Sequence, residues 1–386
     1  MMKNFLVISL YISLAGVFIW MTPPSQALLH DAGTYHQLAL TGSLSSFIDP
    51  GYPTALSLLM RVVGQGNLIV LQISNYLFWS ISAYLVYLSL KQLNEKSAKL
   101  TGFLMLFSPL FLTFSAKLYS EPFASLGVSL LIFGIATSTW LSLVVGAIIL
   151  GSTKSIFIPG IIILGLYYLV RHEYKRFLPL LIGVVILAPV FITSLGGGRS
   201  LYNLAVERAK LDQTYDQILA CVPYYLSYPL GQKLLPQYQG VCHQNDPSPE
   251  MSGYERNPYV RAQEIRKSGF TYADWWKSVV QHPVKYLLVF TVGLFNLVLF
   301  EGIYPSILLQ LPGWAIPIIF ILTKLVLVSY LWVGVVRTGF SNWKYLTPLI
   351  YLFIMIGNFQ VEPRYIYPLI PYIYFLSGLD HNKKKI

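Results

Sequence analysis

Charged residues are scarce in this sequence, and acids are the scarcer kind. Only 11% of the 386 residues are charged, and 16 are Asp or Glu, whereas about 25% of a typical soluble protein is charged. This low charge, with a hydrophobic content of 55%, excludes an ordinary soluble domain. Several apolar runs approach the roughly 20 residues that cross a bilayer as a helix. We therefore expect an all-α polytopic membrane protein.

Cysteine is almost absent. The chain contains only Cys221 and Cys242, with no CxxC spacing, so a metal site built on cysteine is not expected. Both residues lie in one long polar segment, and a disulfide between them is expected if that segment faces an oxidising compartment. Two free thiols are the alternative.

The sequence also lacks the motifs of nucleotide and nucleic-acid binding. It contains neither a P-loop nor a GxGxxG fingerprint. The formal net charge is +11, but many Lys and Arg residues lie in short loops between apolar runs. No basic array interleaved with aromatic residues occurs on a polar region. A nucleic-acid partner is therefore not expected, and the positive charge is interpreted as a signal for membrane orientation.

Apolar runs divide the chain into three regions. The first run, Phe5 to Met21, is interpreted as an uncleaved helix, and a signal peptide cleaved near Ser25-Gln26-Ala27 is the alternative. Further runs lie at 67–90, 100–116, 122–138, 140–152, 156–170, 177–195, 284–300, 303–336, 345–360 and 365–379. The regions that we expect are an N-terminal membrane bundle at 1–195, an extracytoplasmic segment at 196–283, and C-terminal membrane helices at 284–386.

The distribution of Lys and Arg orients these runs. Basic clusters mark inner loops under the positive-inside rule, and they occur at Lys3, Lys91–Lys99, Arg171–Arg176, Arg337–Lys344 and Lys383–Lys385. Counting crossings from these clusters places the first loop, 22–66, outside, together with the turns around Glu121, Lys154 and Arg364. The acids and cations of the short outer turns are therefore expected at one membrane face, where they would suit a phosphate and a hydroxyl.

Four short motifs belong to this outer face. They are Asp49-Pro50-Gly51-Tyr52-Pro53, Tyr119-Ser120-Glu121-Pro122, Gly151-Ser152-Thr153-Lys154 and Glu362-Pro363-Arg364-Tyr365. The first outer loop adds Asp31, with Tyr35 and His36 close by. Taken singly, each motif has an ordinary explanation as a turn, a helix start or an interfacial charge.

The order of the motifs is more specific than any one of them. The succession comprises Asp31, PGYP at 50–53, SEP at 120–122, HPVKYL at 282–287 and RYIYPLIP at 364–371. It resembles the GT-C superfamily of membrane glycosyltransferases, of the protein-mannosyltransferase and aminoarabinose-transferase type. The resemblance implies a bundle of roughly ten to thirteen transmembrane helices with its active site on the extracytoplasmic face. It also implies a donor sugar carried on a polyprenyl phosphate, and a glycan, lipid or protein acceptor.

The resemblance further implies two catalytic acids. Asp31 matches the family's first-loop acid and would act as the general base that removes the proton of the acceptor hydroxyl, in a single displacement that inverts the anomeric carbon. Glu121 would orient the acceptor or help to bind a divalent cation, with Asp31 as the other candidate ligand. The family often has a second acid directly after the first. Ala32 stands there in this sequence, which weakens the case for a metal pair in this loop.

The remaining site residues are expected to bind substrates. Lys154, Arg364 and Tyr365 would bind the departing lipid phosphate, because cations stabilise the negative charge that develops there. The candidates for contact with the sugar or the acceptor are Tyr35, His36 and Tyr52. The chain has 28 tyrosines, and tyrosine suits both sugar sites and membrane interfaces.

Two other functions remain open on the sequence alone. A lipid-linked-glycan flippase or transporter would place ionisable residues within its helices along a pathway, whereas almost none occur within the apolar runs here, and Lys324 is the clearest exception. A polysaccharide polymerase or ligase would also use a lipid-linked sugar and a large outer loop, but it would transfer long chains. The preferred interpretation is an integral glycosyltransferase of a bacterial inner or cell membrane.

Overall fold

The structure is a computed structural model of the chain. It describes residues 2–28, 31–43, 48–93, 96–196, 198–219, 221, 258–298, 332–336 and 367–379. These residues are mostly helical, and no strand occurs among them. The helical architecture predicted from the apolar runs is therefore confirmed for the described part of the chain.

Helices follow one another closely along the chain. The first six are α1 (Met2–Trp20), α2 (Pro24–Ala27), α3 (Asp31–Thr41), α4 (Gly51–Val63), α5 (Leu68–Gln92) and α6 (Ala98–Leu106). The series continues with α7 (Pro109–Ser115), α8 (Glu121–Thr137), α9 (Trp140–Thr153), the 3-10 helix Ser155–Phe157, α10 (Ile158–Val170), α11 (Tyr174–Gly196) and α12 (Gly198–Asp212). The later described helices are Pro258–Lys267, Tyr272–Gln281, Pro283–Val298 and Ile370–Gly378.

The described chain divides into two compact units. The first unit contains the described residues up to Ile192, together with 332–336 and 367–379, and the second contains the described residues between 193 and 298. Within the second unit, α12 packs against the helix Pro258–Lys267. The buried residues of that contact are Ala205, Val206 and Ala262.

Two described helices are long and apolar enough to span a membrane, and they are Leu68–Gln92 and Tyr174–Ile192. Only 22% of the apolar window of Tyr174–Ile192 is buried inside the protein. A core helix of a soluble protein would be buried on most of its surface, so this exposure supports membrane association. Shorter apolar helices accompany the two candidates. The number of crossings and their orientation stay predictions.

The apolar run at 100–116 is divided into two helices. α6 ends at Leu106, and α7 starts at Pro109 after Ser108 adopts an extended backbone with a ψ angle of 116°. Proline disfavours the helical conformation of the residue before it and lacks the N–H that a continuing helix needs. The dipeptide Ser108-Pro109 is visible in the sequence, but the hydropathy of the run alone does not reveal the helix break.

An antiparallel hairpin of α8 and α9 positions the residues discussed below. The two backbones lie close together. A Cβ atom built on Gly127 would be only 2.7 Å from the amide nitrogen of Leu150, and one built on Gly146 would be only 2.9 Å from the carbonyl oxygen of Gly127. Small residues at a helix contact permit such an approach. The first turn of α8 therefore lies beside the last turn of α9.

Candidate functional site

A buried ion pair lies where α8 begins and α9 ends. The Lys154 ammonium is 3.3 Å from Glu121 Oε1, and the two side chains are 3% and 1% exposed. Glu121 is the first residue of α8, where the helix dipole favours a negative charge, and Lys154 directly follows α9. The structure thus joins two site residues that the sequence placed in separate motifs.

The second carboxylate oxygen of Glu121 is buried and has no hydrogen-bond partner among the described residues. An unsatisfied buried oxygen of a charged group is costly, and it persists where other requirements hold the side chain in place. Buried ionisable groups of this kind are candidates for functional sites. The free lone pairs of Glu121 Oε2 can accept a hydrogen bond from a hydroxyl.

Asp49 fixes the chain directly after Lys154. Its Oδ2 accepts a hydrogen bond of 3.0 Å from the backbone N–H of Ser155, which starts the 3-10 helix that leads into α10. A carboxylate at a helix start is stabilised by the unpaired N–H groups there. The interaction spans more than a hundred residues of sequence, so local pattern could not predict it.

Gly51 brings the PGYP motif against the end of α9. A Cβ atom built on Gly51 would lie 2.7 Å from the carbonyl carbon and 2.8 Å from the carbonyl oxygen of Ser152, and closer still to its Oγ. No side chain fits in that space. The glycine therefore permits the contact that places Asp49 and Tyr52 next to the GSTK motif.

Tyr52 is fully buried and supports its neighbours through both its ring and its hydroxyl. The hydroxyl donates a hydrogen bond of 2.9 Å to Asn75 Oδ1, and the ring meets the Tyr35 ring edge to face at 5.4 Å. Burial raises the pKa of the Tyr52 hydroxyl well above its usual value of 10.0. With its hydroxyl engaged by protein, Tyr52 is placed to position Tyr35 and Asn75, and its predicted contact with substrate stays untested.

Two polar residues of α5 hold the turn that precedes Glu121. Asn75 Nδ2 donates to the carbonyl oxygens of Lys117 and Tyr119 at 2.8 and 3.3 Å. Gln72 Nε2 donates to the carbonyl oxygen of Ala116 at 2.6 Å. The sequence analysis did not single out either residue. The available signal was their spacing, since i and i+3 lie on one helix face, within a mostly apolar 25-residue helix.

Asp31 is the first residue of α3 and is half-buried. Tyr35 follows one turn later on the same helix face, and Ser120 Oγ donates to the Tyr35 hydroxyl at 3.3 Å. The helix that begins with Asp31 is thereby tied to the residue immediately before Glu121. His36 is half-buried beside Tyr35, and burial lowers its pKa below the usual 6.5.

The described end of the RYIYPLIP motif also packs on α8. Ser125 Oγ donates to the carbonyl oxygen of Tyr367 at 3.3 Å, and the Tyr367 ring meets the Phe114 ring at 4.6 Å. Ser125 lies one turn after Glu121. Arg364 and Tyr365, the predicted phosphate-binding residues of this motif, lie outside the described residues.

The predicted disulfide and the predicted metal site are not tested by this geometry. Cys221 is buried, but Cys242 lies outside the described residues, so their pairing stays a prediction. Within the described ranges, no group of three or more His, Cys, Asp and Glu side chains is arranged to hold a metal ion. Asp31 and Glu121 as metal ligands therefore remain a hypothesis from the resemblance.

Replacing Asn75 by alanine is expected to destabilise the protein by roughly 2–4 kcal/mol, because it removes three hydrogen bonds among buried groups. Tyr52→Phe removes only one of the three and should cost about 1 kcal/mol. The measurement is equilibrium unfolding of the full-length protein in mixed micelles. Equal losses for the two variants would show that the amide does not hold the turn before Glu121.

The stability of the protein should rise with pH in the alkaline range because of Lys117. Burial lowers the pKa of this lysine from 10.5 to about 8, so between these values the unfolded chain binds more protons than the folded chain, and raising the pH favours folding. Thermal unfolding of Lys117→Met should lack this rise, whereas Lys91→Met, at an exposed position, should keep it. A rise that persists in Lys117→Met would assign the effect to another group.

Comparison of the chain with protein-family models, curated proteins and solved structures gives no significant match.

Proposed function

We propose that the chain is a multi-pass membrane glycosyltransferase of the GT-C type. It moves one sugar from a polyprenyl-phosphate donor to an acceptor hydroxyl at the extracytoplasmic face of a bacterial inner or cell membrane. The observation that supports this most strongly is the meeting of separate sequence motifs around one buried ion pair, that of Glu121 with Lys154. PGYP packs on GSTK through Gly51, and Ser120 of SEP contacts the helix that begins at Asp31.

Asp31 acts as the general base in this proposal. A carboxylate within hydrogen-bond reach of the acceptor hydroxyl can take its proton as the oxygen attacks the anomeric carbon. Asp31 suits this role because it is half-buried and therefore open to a substrate, whereas Glu121 is 1% exposed. The electrons of the broken C–O bond leave with the lipid phosphate, and the configuration at the anomeric carbon is inverted.

Lys154 and Glu121 have linked roles. Negative charge develops on the departing phosphate, and a cation held nearby in a site of low dielectric constant stabilises it. The ion pair with Glu121 provides the buried Lys154 ammonium with an opposite charge. Arg364 and Tyr365 are the further ligands of the lipid phosphate in the proposal. The proposal does not require a metal ion, but a divalent ion would be held by Asp31 and Glu121.

A flippase or transporter is the main alternative. Such a protein needs ionisable groups along a path through its helices. The ionisable groups of the described site lie instead at helix ends, with Glu121 starting α8 and Lys154 following α9. This placement favours the transferase over the flippase. A polysaccharide polymerase or ligase is the other alternative, and it would transfer a long chain where the proposed enzyme transfers one sugar.

The proposal is tested by mass spectrometry of surface glycans from cells that carry the wild type, a deletion or Asp31→Asn at matched protein level. The deletion is expected to lose one sugar from a glycan, and Asp31→Asn is expected to reproduce that loss. The matched control is Asp216→Asn, which makes the same chemical change at an exposed acid of the second unit and should retain the sugar. If the Asp31→Asn cells made wild-type glycans, Asp31 would not be the general base.

A further inference from the structure

The helix Tyr272–Gln281 of the second unit has three distinct faces. Trp275 and Ser278 form the buried face, and the helix packs against α12 and the helix Pro283–Val298. At 100° per residue, a second face carries the polar exposed residues Lys277 and Gln281. The third face carries Trp276 and Val280, which are apolar and 60% and 73% exposed. A surface helix normally has only the first two faces.

Exposed apolar residues also occur in the helix that follows directly. Val284 and Leu287 of the helix Pro283–Val298 are 69% and 62% exposed. Trp276 and Val280 before the non-helical His282, and Val284 and Leu287 after it, are thus four exposed apolar residues of two consecutive helices, which we call the Trp276–Leu287 stripe. Val284 and Leu287 belong to the segment Pro283–Val292, which is a short apolar helix.

The helix has a defined start that does not depend on a partner. Thr271 and Asp274 form a reciprocal capping box, in which the Asp274 carboxylate accepts from the Thr271 N–H at 2.9 Å and the Thr271 hydroxyl oxygen accepts from the Asp274 N–H at 3.4 Å. Such a box satisfies two N–H groups that a helix start otherwise leaves unpaired. The exposed stripe is therefore presented by a preformed helix.

Charge and residue type identify the surface that covers the stripe. Residues 258–287 contain five Lys or Arg and two Asp or Glu, so this region is basic and attracts anionic lipid headgroups. Tryptophan is enriched where headgroups meet acyl chains. A helix with basic residues beside an apolar face that carries Trp is typical of one lying in the plane of the membrane interface. A protein partner would not require continuity with an apolar helix.

We propose that the helix Tyr272–Gln281 lies in the membrane interface, with the Trp276–Leu287 stripe inserted between headgroups and acyl chains. The chemistry it recognises is an anionic lipid bilayer. Lys277, on the neighbouring face, contacts the headgroups. This role concerns how the second unit is attached to the membrane, and it does not depend on sugar transfer.

The test uses the full-length protein in nanodiscs of phosphatidylcholine and phosphatidylglycerol, with a nitrobenzoxadiazole fluorophore on Val280→Cys. Gln281→Cys is the matched control, since it is the next residue and lies on the polar face. The Val280 label is expected to emit at shorter wavelength and to be quenched severalfold more strongly than the Gln281 label by lipids that carry a nitroxide high on the acyl chain. Unmodified protein treated with the same reagent gives the background from native cysteines.

Two results would overturn the proposal. Equal and weak quenching at both positions would show that the stripe faces water. A blue-shifted Val280 label that nitroxide lipids do not quench, and that shifts only in discs holding two copies, would show that a second copy of the chain covers the stripe. Neither result bears on the transferase proposal, which the glycan measurement tests separately.

Discussion

Lys154→Met is expected to destabilise the protein by about 3–5 kcal/mol, because it leaves the Glu121 carboxylate buried without its cation. Unfolding of the full-length protein in mixed micelles measures this loss. The double variant Lys154→Met with Glu121→Gln removes the uncompensated charge and should recover most of the stability. It should still be inactive in sugar transfer, since neither the cation nor the carboxylate is present. The double variant thereby distinguishes the effect of the ion pair on stability from its effect on activity.

An exposed ion pair provides the matched control for this prediction. In the second unit, Arg261 Nη1 lies 2.6 Å from Glu264 Oε2, and the two side chains are 56% and 60% exposed. Surface pairs contribute about 0–1 kcal/mol, so Arg261→Met should change stability little. If Lys154→Met behaved like Arg261→Met, the Glu121–Lys154 pair would be solvated in the protein, and its assignment as the centre of the site would fail.

Gly51→Ala is expected to cost about 1–3 kcal/mol through overpacking and to reduce sugar transfer strongly. The added methyl group would press on the backbone of Ser152 at 2.7–2.8 Å, and backbone has little freedom to move aside. The displacement would act on the end of α9, which carries Lys154, and on the Asp49 bond to Ser155. Activity should therefore fall further than the stability loss alone explains.

Gly16→Ala controls for the general effect of adding a methyl group to a helical glycine. A Cβ atom on Gly16 in α1 meets nothing within 4 Å, and alanine is a better helix former than glycine, so this variant should be neutral or slightly stabilised. Ser152→Ala combined with Gly51→Ala should recover little, because the backbone contact remains. Full recovery by Ser152→Ala would show that only the Ser152 hydroxyl had obstructed the methyl group.

The helices were predictable where local pattern decides them. The apolar run after residue 67 predicts α5 closely, and Pro122 marks the start of α8, which begins at Glu121. Proline at the first positions of a helix has no N–H to satisfy, so this signal is physical and local. α4 begins at Gly51, so it includes most of PGYP as well as the apolar segment that follows it.

The contacts between motifs were not predictable in the same way. Counting crossings from the basic clusters predicted that PGYP, SEP and GSTK belong to one face. The 3.3 Å pair of Glu121 with Lys154, however, depends on the close α8–α9 packing that Gly127 and Gly146 allow. Lys117, which the sequence shows only as a cation between helices, is buried, and its carbonyl oxygen accepts a hydrogen bond from Asn75 of α5. Such contacts join residues far apart in sequence, and hydrophobic periodicity carries no information about them.

In the proposed function, Asp31 activates an acceptor for a sugar held on a polyprenyl phosphate. The most direct measurement is mass spectrometry of lipid-linked sugars in cells that carry Asp31→Asn or the control Asp216→Asn. The account predicts that a polyprenyl-phosphate monosaccharide accumulates in the Asp31→Asn cells and not in the control. No accumulation of any lipid-linked monosaccharide, or accumulation of a complete lipid-linked glycan in its place, would contradict it.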